Sequence, residues 1–253
     1  MIEFENVSFS YGDRLVLNNL SFLIQEKERV AILGGSGDGK TTILKLIIGL
    51  LRPDSGKIRI DGEDITEKTE DELRDIRIKF SMVFQEGALF DSLSVKENVA
   101  FPLREYTQMT EEEIDQKVRE LLKRVGLEEA IGHMPEELSG GMHRRVAIMR
   151  SVAAYEPRMF LYDEPTTGLD AVSADVICKL ILDLSRDGRG FVMVTHKIFD
   201  AFRLADRFMF LKKGAIILDG NKKKVLHSTL SDIQIFLREL NWGEPLRQPN
   251  GTA

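Results

Sequence analysis

The sequence predicts an α/β protein, and three observations support this fold class. A short apolar run, Val30–Leu33, is followed by a glycine-rich loop and then by Thr41–Leu51, whose apolar residues keep helical spacing. A strand, a loop and a helix in this order begin a βαβ unit. Two more apolar runs of strand length, Met159–Tyr162 and Phe191–Thr195, are separated by a helical stretch from about Ala171 to Arg186. Such runs are typical of parallel strands that are buried on both faces.

Local patterns predict the remaining elements. Alternating or clustered apolar residues predict strands in four segments: Ile2–Ser8, Val16–Ile24, Phe208–Leu211 and Ala215–Leu218. The last two flank a Lys-Lys-Gly turn and predict a hairpin. A capping box of Thr110 and Glu113 and one apolar stripe predict a helix over Thr110–Val125, and Ser231–Leu240 predicts a final amphipathic helix. We expect the acidic segment Thr66–Asp75 to be a solvated part of the surface.

Composition excludes several classes of protein. Of 253 residues, 43% are hydrophobic and 30% are charged, which is ordinary for a globular protein and argues against disorder. The one cysteine, Cys178, excludes a disulfide scaffold and fits a reducing compartment. A net charge of −6 argues against sequence-independent nucleic-acid binding. Neither a run of about 20 apolar residues nor a secretory signal is visible, so we expect a soluble protein that reaches a membrane only through a partner.

A phosphate-binding loop is predicted between the first buried strand and its helix. The motif G-x-x-x-x-G-K-[ST] is matched without a gap by eight consecutive residues: Gly34, Gly35, Ser36, Gly37, Asp38, Gly39, Lys40 and Thr41. The glycines let backbone N–H groups surround phosphates at the positive end of the helix, and we include Thr42 in the site. Lys40 is expected to reach the β- and γ-phosphates, and the Thr41 hydroxyl to bind Mg²⁺. We expect the Asp38 carboxylate to point to solvent. The alternative is a glycine-rich turn that binds nothing.

Polar side chains follow three of the predicted strands at their carboxyl ends, where ligands bind to parallel sheets. Asp163 and Glu164 follow one strand, and we expect Asp163 to bind Mg²⁺ and Glu164 to act as the general base for water that attacks the γ-phosphate. His196 follows a second strand as a candidate γ-phosphate sensor, and Gln85 follows the apolar run Phe80–Phe84 as a candidate ligand of the metal or the water. Alternatively, the two acids cap the next helix and His196 is structural.

A second candidate anion site lies at Leu138–Gly141, before a helix rich in arginine and alanine. Ser139 is suited to cap this helix, while Gly140 and Gly141 leave its N-terminus open to an anion. Since the first loop already supplies one phosphate site, two such sites in one chain suggest that ATP is bound from two sides.

With these motifs in this order, the sequence resembles the ATP-binding subunits of ABC transporters over nearly its whole length. The matching elements run from end to end: Tyr11, Gly34–Thr41, Gln85, Leu138–Gly141, Asp163-Glu164, Gly168-Leu169-Asp170 and His196. The resemblance implies a P-loop NTPase core with an antiparallel β subdomain and a helical subdomain. It implies one ATPase domain over 1–240, with a helical lobe inserted at about 87–154, and a tail over 241–253.

The resemblance also implies roles for individual residues. Tyr11 would stack on adenine, and Ser139 and Gly141 would contact the γ-phosphate of ATP held by the other subunit. Asp170 would couple the two sites. Two copies would clamp two ATP molecules, and the homodimer would lie on the cytoplasmic face of the cell membrane beneath an integral membrane permease.

Some segments resemble one branch of the family more closely. Met142 and Lys197 replace the Gln and Asp that relatives often have, at positions that we do not expect to carry the chemistry. Met142, Gly87–Val95, Glu97–Glu105 and Tyr162–Asp170 resemble the lipid-handling branch, which includes the maintenance-of-lipid-asymmetry (Mla) and solvent-tolerance systems and a chloroplast lipid importer. This likeness implies phospholipid transport, with a lipid-binding periplasmic or membrane-anchored protein and a small regulatory subunit as further partners.

Other functions remain open at this point. They are an ATPase for another transported solute, a non-transport regulator at the membrane, and a soluble ATPase switch of translation or DNA repair. The single core and the short span from Gln85 to Leu138 argue against the last. Trp242, Pro245 and Leu246 in the tail are candidates for docking on a neighbouring subunit.

Overall fold

The computed structural model describes residues 1–186 and 188–241. These residues form ten strands: β1 (Ile2–Tyr11), β2 (Arg14–Ile24), β3 (Arg29–Leu33), β4 (Ser55–Ile60), β5 (Glu63–Asp64), β6 (Phe80–Val83), β7 (Met159–Asp163), β8 (Gly190–Thr195), β9 (Arg207–Lys212) and β10 (Ala215–Asn221). They also form nine α-helices: α1 (Lys40–Ile47), α2 (Glu70–Arg77), α3 (Val95–Tyr106), α4 (Glu111–Arg124), α5 (Gly140–Ser151), α6 (Ala171–Leu184), α7 (Ile198–Leu204), α8 (Lys222–Leu226) and α9 (Ser231–Arg238). Three short 3₁₀ helices complete the described structure: Glu128–Ala130, Pro135–Glu137 and Glu239–Asn241.

The strands form two sheets. Six strands form one sheet in the order β10-β9-β3-β8-β7-β6, in which β9 to β6 are parallel and only β10 is antiparallel to its neighbour. The other sheet is antiparallel, in the order β2-β1-β4-β5. In the parallel sheet, β3, β7 and β8 all end at the same edge, so the loops that follow them meet there.

Both faces of the six-stranded sheet are buried, which explains the continuous apolar runs in its strands. Along β3, Ala31 and Leu33 pack on one side with α3 to α7 and α9, while Val30 and Ile32 pack on the other side with the antiparallel sheet, α1 and α2. All four side chains are fully buried. The predicted α/β fold is confirmed.

Helices α3, α4 and α5 lie between β6 and β7 in the chain, and two arginines of α5 bind the segment that follows β6. Arg144 of α5 donates a hydrogen bond from Nη1 to the Phe84 carbonyl at 2.7 Å, and Arg150 donates from Nη2 to the Gly87 carbonyl at 3.2 Å. These two bonds place Gln85 between two anchored carbonyl groups.

Most of the predicted elements are present with small changes at their ends. The helix predicted over Thr41–Leu51 ends at Ile47, because Gly49 follows with φ of 64° in the left-handed region. Thr66–Asp75 lies at the surface as predicted, with only Leu73 buried, and α2 begins within it with a capping box of Thr69 and Glu72, which was not predicted. The short elements β4, β5, α3, α7 and α8 were not predicted, and the expectation for Trp242, Pro245 and Leu246 lies outside the described residues.

Within residues 1–186 and 188–241, no helix is both long enough and apolar enough to cross a membrane.

Candidate active site

The glycine-rich loop lies between β3 and α1 and folds around the side chain of Lys40. This lysine begins α1 and is buried, and its Nζ donates hydrogen bonds to the carbonyl oxygens of Gly34 and Gly35, both at 3.0 Å. Gly37 and Gly39 have φ angles of 82° and 103°, in the left-handed region that favours glycine. The loop therefore needs its glycines, and it places the positive end of α1 at the sheet edge.

The Asp38 side chain does not point freely to solvent, so that prediction is wrong. Its Oδ2 accepts a hydrogen bond from the Gly35 N–H at 2.7 Å, and its Oδ1 accepts one from the Lys213 N–H at 3.1 Å. Lys213 lies in the turn between β9 and β10, 175 positions along the chain. The carboxylate thus fastens the glycine-rich loop to a neighbouring hairpin.

Asp163 and Thr41 meet at the carboxyl end of β7. The Thr41 hydroxyl donates a hydrogen bond to Asp163 Oδ1 at 2.9 Å, and the aspartate is almost fully buried. Burial raises the pKa of Asp163, and the negative charge of Glu164 adds to this, while the bond from Thr41 acts in the opposite direction. A buried carboxylate in this position would be stabilised by a nearby cation.

Glu164 lies at the centre of a buried network of polar side chains. Its Oε1 is 3.4 Å from Nζ of Lys40, while its Oε2 accepts a bond from the Thr167 hydroxyl at 2.9 Å and lies 3.0 Å from Nδ1 of His196. Burial opposes ionisation of Glu164, but the hydrogen bond and charge of His196 and the charge of Lys40 outweigh it and lower the pKa. The carboxylate is therefore held ionised, as a proton acceptor must be.

A cavity of about 530 Å³ opens at this edge of the sheet. Ten predicted site residues line it: Tyr11, Ser36, Gly37, Gly39, Lys40, Thr41, Thr42, Gln85, Glu164 and His196. Tyr11 is half-exposed at the cavity wall and packs edge-on against Phe9, with ring centroids 4.8 Å apart. One aromatic ring, a glycine-rich loop and ionisable side chains thus share one cavity, as binding of a nucleotide requires.

The described residues that line this cavity do not include a second group of predicted site residues: Ser139, Gly140, Gly141 and Asp170. Ser139 caps α5 and Asp170 caps α6, as predicted for Ser139. The two helix starts pack together, since a Cβ on Gly141 would lie 2.8 Å from Ser173 Oγ. Hydrogen bonds from Ser173 to Asp170 lower the pKa of this carboxyl group. Within one chain, this second group of predicted residues lies at two packed helix starts and does not line the cavity formed by most of the first group.

Sequence reasoning missed three residues of the cavity: Arg14, Val16 and Thr167. Arg14 begins β2 three positions after Tyr11, which was a usable signal because the two residues share a tight turn. Thr167 carried no signal of its own, since its hydrogen bond to Glu164 depends on the turn between them.

Comparison with known proteins agrees with this geometry. The sequence model of the ABC transporter family matches residues 17–167. The chain belongs to the ABC transporter family. It is therefore an ATPase with the α/β fold of this family. This confirms the family that the motifs predicted.

Individual relatives cover almost the whole chain. One relative is the intermembrane phospholipid transport system ATP-binding protein MlaF of Haemophilus influenzae, which is 40% identical to this chain. The match covers 94% of this chain and 90% of that protein. The glutamine transport ATP-binding protein GlnQ of Escherichia coli is 42% identical over 95% of this chain and 100% of its own. Among solved structures, the dimeric ATP-binding cassette MJ0796, bound to ADP and Pi, is similar to this chain with a TM-score of 0.81 and 36% sequence identity. The match covers 87% of this chain and 98% of the MJ0796 chain.

Proposed function

We propose that this ATPase powers a membrane transporter that moves phospholipid. The relative from Haemophilus influenzae is named for intermembrane phospholipid transport, and it is similar over nearly all of both chains. The resemblance of the segments Gly87–Val95 and Glu97–Glu105 to the lipid-handling branch agrees with this similarity. We further propose that the chain works at the cytoplasmic face of the membrane, with an integral membrane permease, a lipid-binding protein and a small regulatory subunit as partners.

The observation that carries the ATPase part of the proposal is the network in which Lys40, Glu164 and His196 lie within hydrogen-bonding or ion-pair distance at the cavity wall. Lys40 is positioned to bind the β- and γ-phosphates of ATP, with the loop glycines around them. Glu164 is the proposed general base that accepts a proton from attacking water, and His196 orients it and senses the γ-phosphate. Tyr11 is the proposed stacking partner of adenine.

The donor set fits a magnesium ion. Asp163 is a buried carboxylate whose charge is disfavoured by burial, and Thr41 already lies 2.9 Å from it. We propose that these two residues hold Mg²⁺ and that Gln85 contacts it or the attacking water. Within residues 1–186 and 188–241, no group of three or more His, Cys, Asp or Glu side chains is arranged to hold a metal ion by itself, so phosphate and water oxygens would complete the shell. A bound Mg²⁺ would supply positive charge that stabilises the negative charge developing on the phosphates during hydrolysis.

Two copies of the chain form the proposed working unit, with two ATP molecules between them. Ser139, Gly140 and Gly141 lie at the start of α5 and Asp170 caps α6, and none of the four lines the cavity of its own chain. The start of a helix with two glycines is suited to accept an anion. In the proposed dimer, these four residues contact ATP bound by the partner. The dimeric form of the cassette MJ0796 supports this arrangement.

A groove on the helical part of the molecule supports a permease as partner. Phe90, Phe101 and Tyr106 are each more than two-fifths exposed and line a cavity of about 210 Å³ with Arg150. Apolar side chains gathered in an open groove favour contact with another protein. We propose that a cytoplasmic helix of the permease occupies it.

Purification of the tagged chain from detergent-solubilised membranes tests the proposed function. We expect an integral membrane permease and bound phospholipid to co-purify, and ATP hydrolysis by this complex to be lost in Glu164→Gln. An amino-acid permease free of phospholipid would instead favour the transport role for which GlnQ is named. Co-purification of a membrane complex that moves no solute would favour a non-transport regulator.

A further inference from the structure

Lys197 follows His196 just beyond the end of β8. The lysine is half-buried, and its Nζ donates a hydrogen bond to the Thr166 carbonyl oxygen at 2.8 Å. Its backbone N–H is itself fixed by the hydroxyl of the fully buried Thr195, at 3.0 Å. The ammonium group therefore reaches from the end of β8 to the loop that follows β7.

Thr166 is fixed through both of its polar groups. Its carbonyl oxygen accepts hydrogen bonds from Lys197 and from the Leu169 N–H at 3.3 Å, while its hydroxyl donates to Asp200 Oδ2 at 2.5 Å. Thr166 is only 1% exposed and Asp200 is also buried. Bonds in such a dry environment are stronger than they are in water.

The loop that Thr166 anchors connects two functional residues. On one side, the Thr167 hydroxyl donates a hydrogen bond to the Glu164 carboxylate. On the other side, Leu169 leads directly to Asp170, which caps α6. A shift of Thr166 would thus move the proposed base and the start of α6 together.

We infer that Lys197 is a positioning residue for ATP hydrolysis, which holds the Glu164–Asp170 loop against the strand that carries His196. This inference rests on the proposed function of Glu164 as the base. Lys197 contacts no reacting atom in this account and acts through Thr166. This bond needs a side chain that carries an N–H donor, which the Lys197 ammonium group provides.

Steady-state ATP hydrolysis by the full chain tests the inference. Lys197→Met keeps an unbranched side chain of similar length but removes its donor, and it should lower kcat by about 10- to 100-fold, which is typical when a catalytic group is misplaced. The KM for ATP should stay within about twofold, because the phosphate loop is unchanged. Lys197→Arg keeps a donor and should recover most of the loss. Lys179→Met is the matched control, since Lys179 is exposed on α6 and pairs only with Asp175 among the described residues.

Several results would overturn the inference. They are an unchanged kcat in Lys197→Met, a raised KM with unchanged kcat, and a loss that Lys197→Arg does not repair. If Lys197→Met does not fold, the comparison of Lys197→Arg with Lys197→Asp decides, since equal kcat in these two variants would contradict a donor role. Hydrolysis by the wild-type chain that is lost in Glu164→Gln keeps the proposed function intact whatever the result at Lys197.

Discussion

Glu164 has an unusual backbone for a glutamate. Its φ of 46° lies in the left-handed region, which is costly for a residue with a side chain. The conformation is held by a hydrogen bond from its N–H to the Val194 carbonyl at 2.9 Å, and by one from the Thr167 N–H to its own carbonyl at 3.2 Å. This backbone turns the side chain back towards Lys40 and His196. Strain at this residue thus places the proposed base.

Replacing Glu164 with Gln should stop turnover and leave binding of ATP intact. The amide keeps the size of the side chain but cannot accept a proton, so kcat should fall by about 10²- to 10⁴-fold. Measured by light scattering, the variant should form a dimer with ATP that persists. Glu120→Gln on the exposed face of α4 is the control, because within residues 1–186 and 188–241 the Glu120 side chain accepts a hydrogen bond only from Gln116. Normal hydrolysis by Glu164→Gln would exclude this residue as the base.

Replacing Asp38 tests whether its carboxylate stabilises the glycine-rich loop. Asp38→Ala removes the acceptors for the N–H groups of Gly35 and Lys213, and we expect the free energy of unfolding to fall by about 1–3 kcal/mol. Urea denaturation measures this directly. Asp13→Ala is the control, since Asp13 lies exposed in the turn between β1 and β2. Equal stability of the two variants would show that the Asp38 carboxylate does not hold the loop.

Helix α2 supports the helix that carries the phosphate loop. Its Arg77 donates hydrogen bonds to the carbonyl groups of Ile48 and Gly49, just beyond the end of α1, at 3.0 and 3.3 Å. Leu73 packs so closely on Gly49 that a Cβ there would lie 2.8 Å from it. The element that we expected to be a solvated segment therefore caps α1.

Loss of the N-cap of α2 should destabilise the protein measurably. Thr69→Ala removes the side-chain acceptor for the Glu72 N–H, and we expect a loss of about 0.5–2 kcal/mol in the free energy of unfolding. Thr69→Ser keeps the hydroxyl and should retain most of the stability. Calorimetric unfolding of both variants is the measurement. An alanine variant as stable as the serine variant would contradict a role for this cap.

Elements with a long and regular pattern could be predicted from sequence, and short ones could not. Helix α4 carries a capping box and a full apolar stripe over 14 residues, whereas α2 has the same box but only Leu73 and Ile76 buried in eight residues. Helix α3 contains Pro102, and a proline inside a segment argues against a helix when only the local sequence is considered. β5 is two residues long and is defined by its pairing with β4.

In the candidate site, too, residues within sequence motifs could be predicted, whereas contacts between distant loops could not. Lys40, Thr41, Asp163 and Glu164 occur in motifs whose spacing predicted that they would meet, and the parallel sheet brings them together. The contacts of Asp38 with Lys213 and of Lys197 with Thr166 could not be predicted, because each joins loops that follow different strands. Only the folded sheet brings such loops into contact.

The separation of Ser139 from the cavity of its own chain leads to the most direct test, in which two inactive variants are mixed. Lys40→Ala damages the phosphate loop, and Ser139→Arg damages the start of α5. In a mixed dimer with shared sites, one site combines both defects and the other has none. Random pairing makes half of the dimers mixed, so equal amounts should regain about one quarter of the wild-type ATPase rate. A mixture no faster than the average of its two variants would contradict a site built from two chains.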